Sequence, residues 1–331
     1  MATYKQIYGT NVEVLASDPS NPVEGQIWYN STSQTLKGYA LVAGSWATAG
    51  PLNTARGSIG SAGTQTSALA YGGGPPNVAI TEAYNGTAWT TSPASLNTAR
   101  RSIKGTGASN TAVIASGGYT TTQVTNTESW NGTSWTELND MSKARNGFYP
   151  AGIQTAALAN GGQDGDSGTS RTAICESWNG TSWTTIASLN AAKNAGAGFG
   201  TQTAALVAGG SITSGGSPVT TAQTESWNGS AWTEVNDLNT SKIGLNGAGT
   251  QTLGLVFGGF TNPPFVIIGQ TEEWNGTSWT EVNNLNIART DLGAAGIQTA
   301  ALAFGGGNPG TITATEEWSG PAVRTVNITV S

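Results

Sequence analysis

The chain is 331 residues long, with 13 basic and 19 acidic side chains, no histidine and a single cysteine. Charge this sparse, with no run of either sign, gives no footprint for nucleic acid or an anionic membrane surface. The apolar stretches are strand-length and too short to span a bilayer, and without histidine a Cys/His zinc site is excluded.

Composition supplies instead 47 glycines and 12 tryptophans, turn formers and large apolar anchors that suit all-β structure. Met1-Ala-Thr-Tyr-Lys-Gln6 has neither the basic start nor the apolar stretch of a secretory signal, so synthesis in a cytoplasm is expected. Ser17-Asp-Pro-Ser-Asn-Pro22 is a run of turn formers. Two strands are predicted at Gly25–Asn30 and Thr35–Tyr39, about a short polar turn, and a third around Ala43–Thr48. Residues 1–50 therefore form a small β extension, and 51–331 the main domain. Asp18-Pro-Ser-Asn-Pro-Val-Glu-Gly-Gln-Ile-Trp-Tyr-Asn30, Leu36-Lys-Gly-Tyr39 and Gly44-Ser-Trp46 resemble the short N-terminal module of structural proteins of tailed bacteriophages, including tail-fibre and tail-associated proteins. That resemblance implies a virion location, with residues 1–50 docking to other virion proteins.

From Pro51 onward the chain repeats. Thr224-Glu-Ser-Trp-Asn-Gly-Ser-Ala-Trp232 has close copies at Glu82/Tyr84/Trp89, Glu128/Trp130/Trp135, Glu176/Trp178/Trp183 and Glu272/Trp274/Trp279. In a sixth, Glu316/Trp318, Val323 replaces the second Trp. The Asn-Gly in each (Ser319-Gly320 in the last) predicts a two-residue type I′ hairpin turn, both central residues at positive φ. Upstream, an apolar strand ends in a glycine pair, at Gly72, Gly117, Gly161, Gly209, Gly258 and Gly305, spaced by 44 to 49 residues. Sixteen positions before each pair stands a cation: Arg56, Arg101, Arg145, Lys193, Lys242 and Arg289. A strand of small residues such as Ala195-Gly-Ala-Gly-Phe-Gly200 follows it, as suits a crowded centre where backbones converge.

Six units of four antiparallel strands, the innermost glycine-rich, predict a six-bladed β-propeller. The order of landmarks, a strand ending in Gly-Gly, an aromatic, a Trp and a basic residue opening the next unit, resembles the kelch repeat over residues 51–331. The resemblance implies fold more than function, since such propellers serve as enzymes, adaptors and virion parts alike. Two segments could supply the last outer strand. Val323–Val330 follows Trp318 directly, and local hairpin formation favours it. Trp46 stands seven residues before Asn53, as Trp232 does before Asn239, so the N-terminal strand could close the ring instead.

Trp89, Trp135, Trp183, Trp232 and Trp279 could stack sugars but are read as packing between blades. The glutamate and cation rings are read as pairing at blade junctions rather than as a ligand funnel. Cys175, without histidine as a base, is read as a small buried hydrophobe. Asp164 and Asp166 could hold calcium but lack a glutamate at loop-closing spacing, so no metal or cofactor is expected. The sequons at Asn85, Asn131, Asn179, Asn228 and Asn275 are accounted for by turn chemistry. Variation concentrates in the loops after the glycine pairs, where Tyr119, Asp164, Asp166, Arg171, Phe260, Phe265 and Ile267 are candidate binding residues. The loop from Phe260 to Ile268 is apolar enough to be tucked under a neighbour or covered by another chain.

The expected function is that of a non-enzymatic virion protein of the tail or fibre type, its loops contacting a host receptor or glycan. A decorating or capsid-associated subunit binding a neighbouring virion protein is the alternative. A glycan-processing enzyme is disfavoured by scattered arginines and absent histidine.

Overall fold

The computed structural model describes residues 12–165 and 170–329. These fall into two compact units, one holding residues up to 44 together with those from 320 onward, the other Ser45–Ser319. In the smaller unit Glu13–Leu15 runs parallel to Ile27–Asn30, which pairs antiparallel with Thr35–Val42, and Ala322–Asn327 completes the sheet. The Asp18 carboxylate accepts hydrogen bonds from the Trp28 indole (3.0 Å), the Asn30 amide (2.7 Å) and Lys37 Nζ (2.8 Å). The residues that carry the N-terminal motif thus meet at one oxygen pair, and Lys37 foremost, then Asn30 and Trp28, lower the Asp18 pKa to about 2.

The larger unit contains six four-stranded antiparallel sheets. Their innermost strands are Gly60–Thr64, Lys104–Ser109, Tyr149–Ile153, Ala197–Gly200, Asn246–Gly249 and Gly293–Ile297. Each lies against the next, and the sixth against the first. Small residues make this approach possible: a Cβ on Gly198 would sit 2.7 Å from the Pro150 carbonyl of the neighbouring sheet.

One cycle of backbone hydrogen bonds runs round the ring just before these strands. Ser102 N–H donates to Ser58, Gly147 to Ser102, Ala195 to Gly147, Gly244 to Ala195, Asp291 to Gly244 and Ser58 to Asp291, at 2.7–3.0 Å. All six residues have φ between 50° and 70°, so each turns its N–H towards one neighbouring sheet and its C=O towards the other.

The last outer strand is Ser45–Ala49, not the C-terminal segment favoured by local hairpin formation. Trp46 sits opposite Trp318 as Trp279 sits opposite Trp274, packs edge-on against Phe257 with ring centroids 4.8 Å apart, and donates its indole N–H to Thr271 Oγ1 at 3.0 Å. An indole buries about 150–250 Å², and Val323 could not fill that slot. Val323 instead stands opposite Leu41 in the smaller sheet. The boundary near residue 50 accordingly moves, since Ser45–Ala49 belongs to the ring and 320–329 to the extension.

The Asn-Gly turns also differ from expectation. Tyr84 pairs directly with Trp89, leaving a four-residue loop in which only Gly86 has positive φ. Asn85 Oδ1 accepts the N–H groups of Thr87 (3.0 Å) and Ala88 (2.9 Å). The asparagine caps the turn with its side chain, which explains the following Gly-Thr/Ser as much as the sequon does.

The second tryptophans lie between sheets. Trp89, Trp135 and Trp279 are buried, Trp183 half-buried, and with Trp46 each donates to a threonine Oγ1 of the preceding sheet at 2.9–3.2 Å. Trp232 is buried too, but its indole N–H has no partner, because Cys175 occupies the position held elsewhere by Thr81, Thr127, Thr224, Thr271 and Thr315. Cys175→Thr should supply the missing acceptor and raise unfolding free energy by about 1 kcal/mol, measured by denaturant titration. No gain would show that the indole is satisfied in another way.

The Asp18 knot predicts a pH response of defined sign. Its folded pKa lies below the ordinary 3.8, so its contribution is complete above that value and is lost as pH falls towards 2. The Trp28 indole resonance should titrate near pH 2 in the wild type and show no such transition in Asp18→Asn.

Candidate functional site

Each linker between sheets crosses over the third strand of the sheet it enters, and a buried glutamate receives it there. Glu82, Glu128, Glu176, Glu225, Glu272 and Glu316 accept the backbone N–H of Asn53, Asn97, Ser142, Asn190, Asn239 and Asn286 at 2.7–2.8 Å. The same carboxylates pair with Arg56, Arg100, Arg145 (2.8 Å), Lys193 (3.0 Å), Lys242 (2.9 Å) and Arg289. Burial pulls the pKa values of Arg145, Lys193, Lys242 and Arg289 down, opposed by the paired carboxylate. The two charge rings are therefore joined to each other inside the protein and present no open funnel.

The cation of the second pair is Arg100, one residue before the position that spacing selects. The reason is a bulge: the hairpin of Lys104–Ser109 with Ala112–Ser116 shifts register between Ala112 and Val113, adding a residue to the strand. Arg101 is left half-buried, over the Tyr119 ring at 4.7 Å and donating to Asn77 Oδ1 at 3.0 Å.

The glycine pairs bring the following loops against these linkers. Gly161 has φ 61°, a Cβ there would lie 2.6 Å from the Lys193 carbonyl, and Gly162 N–H donates to that carbonyl at 2.9 Å. One residue further, six equivalent bridges form: Gly57 with Gly74, Arg101 with Tyr119, Asn146 with Gln163, Asn194 with Ser211, Ile243 with Phe260 and Thr290 with Gly307. All six variable loops consequently start from the same face, beside the hydrogen-bonded ring.

The candidate residues fall into separate clusters along that face. Tyr119 joins Arg101 and Asn77. Asp164 accepts from Ser170 at 2.7 Å and pairs with Lys143 at 3.4 Å, while Asp166 lies outside the described residues. Arg171 donates to Asn194 Oδ1 (3.0 Å), Ser211 Oγ (2.9 Å) and Thr213 Oγ1 (3.1 Å), reaching the next loop. Phe260–Thr261 and Val266–Ile267 form a small hairpin in which Ile267 pairs with Phe260 and the Phe260 and Phe265 rings lie 4.8 Å apart. Phe265 remains 63% exposed at its tip. Gln123 to Gly165 (3.2 Å) and Thr220 to Asn262 (3.2 Å) tie further neighbours, so the loops form a belt.

Inside the belt, linker and inner-strand residues of the six sheets line axial cavities of about 140 Å³ each. Lys104 borders both. Asp291, one of the six ring residues, borders the one at the mouth. Confinement by surrounding protein lowers the Lys104 pKa and raises that of Asp291, although the aspartate is open to the cavity; each is partly compensated by the other's charge. The motif reading passed over both. Their signal was departure from pattern, since Lys104 stands where other units have Gly60, Tyr149, Ala197, Asn246 and Gly293, and Asp291 where they have Ser58, Ser102, Gly147, Ala195 and Gly244.

Cys175 is fully buried, and its thiol pKa is raised to about 11, chiefly by that burial. Among the described residues, no three His, Cys, Asp or Glu side chains gather to hold a metal ion.

The sheets, their ring and this face define a propeller-type all-β protein. No family model matches the chain, and no curated protein matches it by sequence. Among solved structures it is similar to that of YjhT, with a TM-score of 0.66 and 11% identity over 86% of this chain and 97% of that one. At that identity the likeness is one of fold alone.

The position of the second ion pair separates the two candidate arginines. Arg100→Met should cost about 3–5 kcal/mol in denaturant unfolding by stranding Glu128. Arg101→Met, which removes a half-buried contact, should cost about 1 kcal/mol or less. The reverse order would place the buried cation at Arg101.

Proposed function

We propose that this is a non-enzymatic, kelch-like virion protein of the tail or fibre type, docked through its N-terminal extension to other virion proteins and contacting a host receptor or glycan with its loop belt. The reading rests on one observation above others. The ring glutamates and cations are consumed in six buried pairs within a repeated scaffold, and sequence variation concentrates in loops that share one face. Loops carried on a rigid frame are where specificity resides. The resemblance of residues 18–46 to phage virion modules supports the location. An exposed apolar tip at Phe265 and Val266 supports a protein contact there and favours, as second reading, a decorating subunit bound to a neighbouring virion protein.

Particles lacking this chain should assemble and lose adsorption to cells. Phe265→Ser should weaken adsorption about tenfold or more, the scale of one lost aromatic anchor. Normal adsorption without the chain overturns the receptor-binding role. Footprinting that finds Phe265 covered in assembled particles selects the decorating one.

A further inference from the structure

The two axial charges lack a contact partner that would explain them. The Lys104 ammonium makes no hydrogen bond or ion pair to the described residues, and the Asp291 carboxylate accepts a long hydrogen bond, 3.4 Å, from the adjacent Thr290 hydroxyl. They belong to the second and sixth sheets and sense each other electrostatically without touching. The six buried couples of the scaffold's repeat are all paired at contact distance, and these two charges depart from that pattern. Between them the mouth cavity, about 140 Å³, carries the polar side chains of Ser58, Ser102, Asn146 and Asn194. At roughly 30 Å³ per water that is space for about five waters, or for a solute with a handful of heavy atoms.

We propose that this axial cavity binds a small zwitterion, its anionic group directed to Lys104 and its ammonium group to Asp291. Confined charges interact more strongly than charges in bulk water, and two unpaired opposite charges are met together only by a ligand that carries both. A neutral polyol would satisfy the amides and hydroxyls but leave each charge without a counterion. A simple anion or cation would satisfy one and strand the other. The site is independent of the partner that the loop belt contacts.

The test uses the full chain and calorimetric titration with glycine, β-alanine and γ-aminobutyrate, which differ only in the spacing of their charges. Acetate, methylammonium and glucose serve as comparators. At least one zwitterion should bind more tightly than all three comparators. Lys104→Met and Asp291→Asn should each weaken it about tenfold or more, the scale of losing one charged partner, with the melting temperature reporting that each variant is folded. Should Lys104→Met fail to fold, Asp291→Asn and Lys104→Gln carry the same comparison. Acetate binding that depends on Lys104 but not on Asp291 overturns the proposal in favour of an anion site. Glucose binding as tight as the zwitterions', zwitterion binding indifferent to either substitution, or no binding by any probe also overturns it.

Discussion

The structure depends on a carboxylate placed where one sheet hands the chain to the next. In each unit a glutamate on the third strand receives both the linker's backbone N–H and the side chain of a cation three residues further along. A buried ion pair is a weak source of net stability, because desolvating two charges offsets most of their attraction. Its effect here is geometric. A linker set in another register would leave a carboxylate dry and unpaired, so the pair fixes where the chain enters each sheet. The inner strand, the positive-φ ring residue and the start of the variable loop then take their places from that point.

Arginine and lysine fill this position differently. Arg145 reaches Glu176 and also the carbonyls of Gly161 (3.2 Å), Ala159 (3.2 Å) and Ile174. Lys193 reaches Glu225 and, beyond it, the Gln223 carbonyl at 3.3 Å. A planar fork of donors serves several acceptors of a turning backbone, where an ammonium serves fewer. The lysine units compensate from the linker: Asn190 and Asn239 donate their side-chain amides to the same glutamates at 2.9 Å.

The six-fold architecture and the interior role of the charges were legible because a repeat reports the same physical demand six times. What spacing could not show were events that change the count or ignore sequence order. A bulge at Ala112/Val113 moves the buried cation from Arg101 to Arg100. The closing strand came from the start of the chain because Trp46 fits an indole slot that adjacency alone could not give to Val323. The Asn-Gly turns are four residues long because the asparagine side chain accepts two N–H groups of the turn while its own backbone N–H closes it. The axial cavity was invisible for a different reason: Lys104 and Asp291 are 187 positions apart by number (291 − 104) and meet only when the ring closes.

A pseudo-symmetric scaffold makes departures informative in proportion to how little the fold needs them. Cys175 in place of threonine leaves an indole unsatisfied and has no evident gain attached to it, so it reads as a tolerated defect of packing. Lys104 and Asp291 are different in kind. Each puts a charge where its equivalents are mostly small, at a place where the backbone is already fully tied by the hydrogen-bonded ring and needs no help from side chains. The loop belt departs further still, but it does so at the surface, where substitution is cheap. Charge set across an axial cavity without a contact counterion is harder to account for by folding than charge on an open surface, and on physical grounds it is the kind of variation that most calls for a ligand.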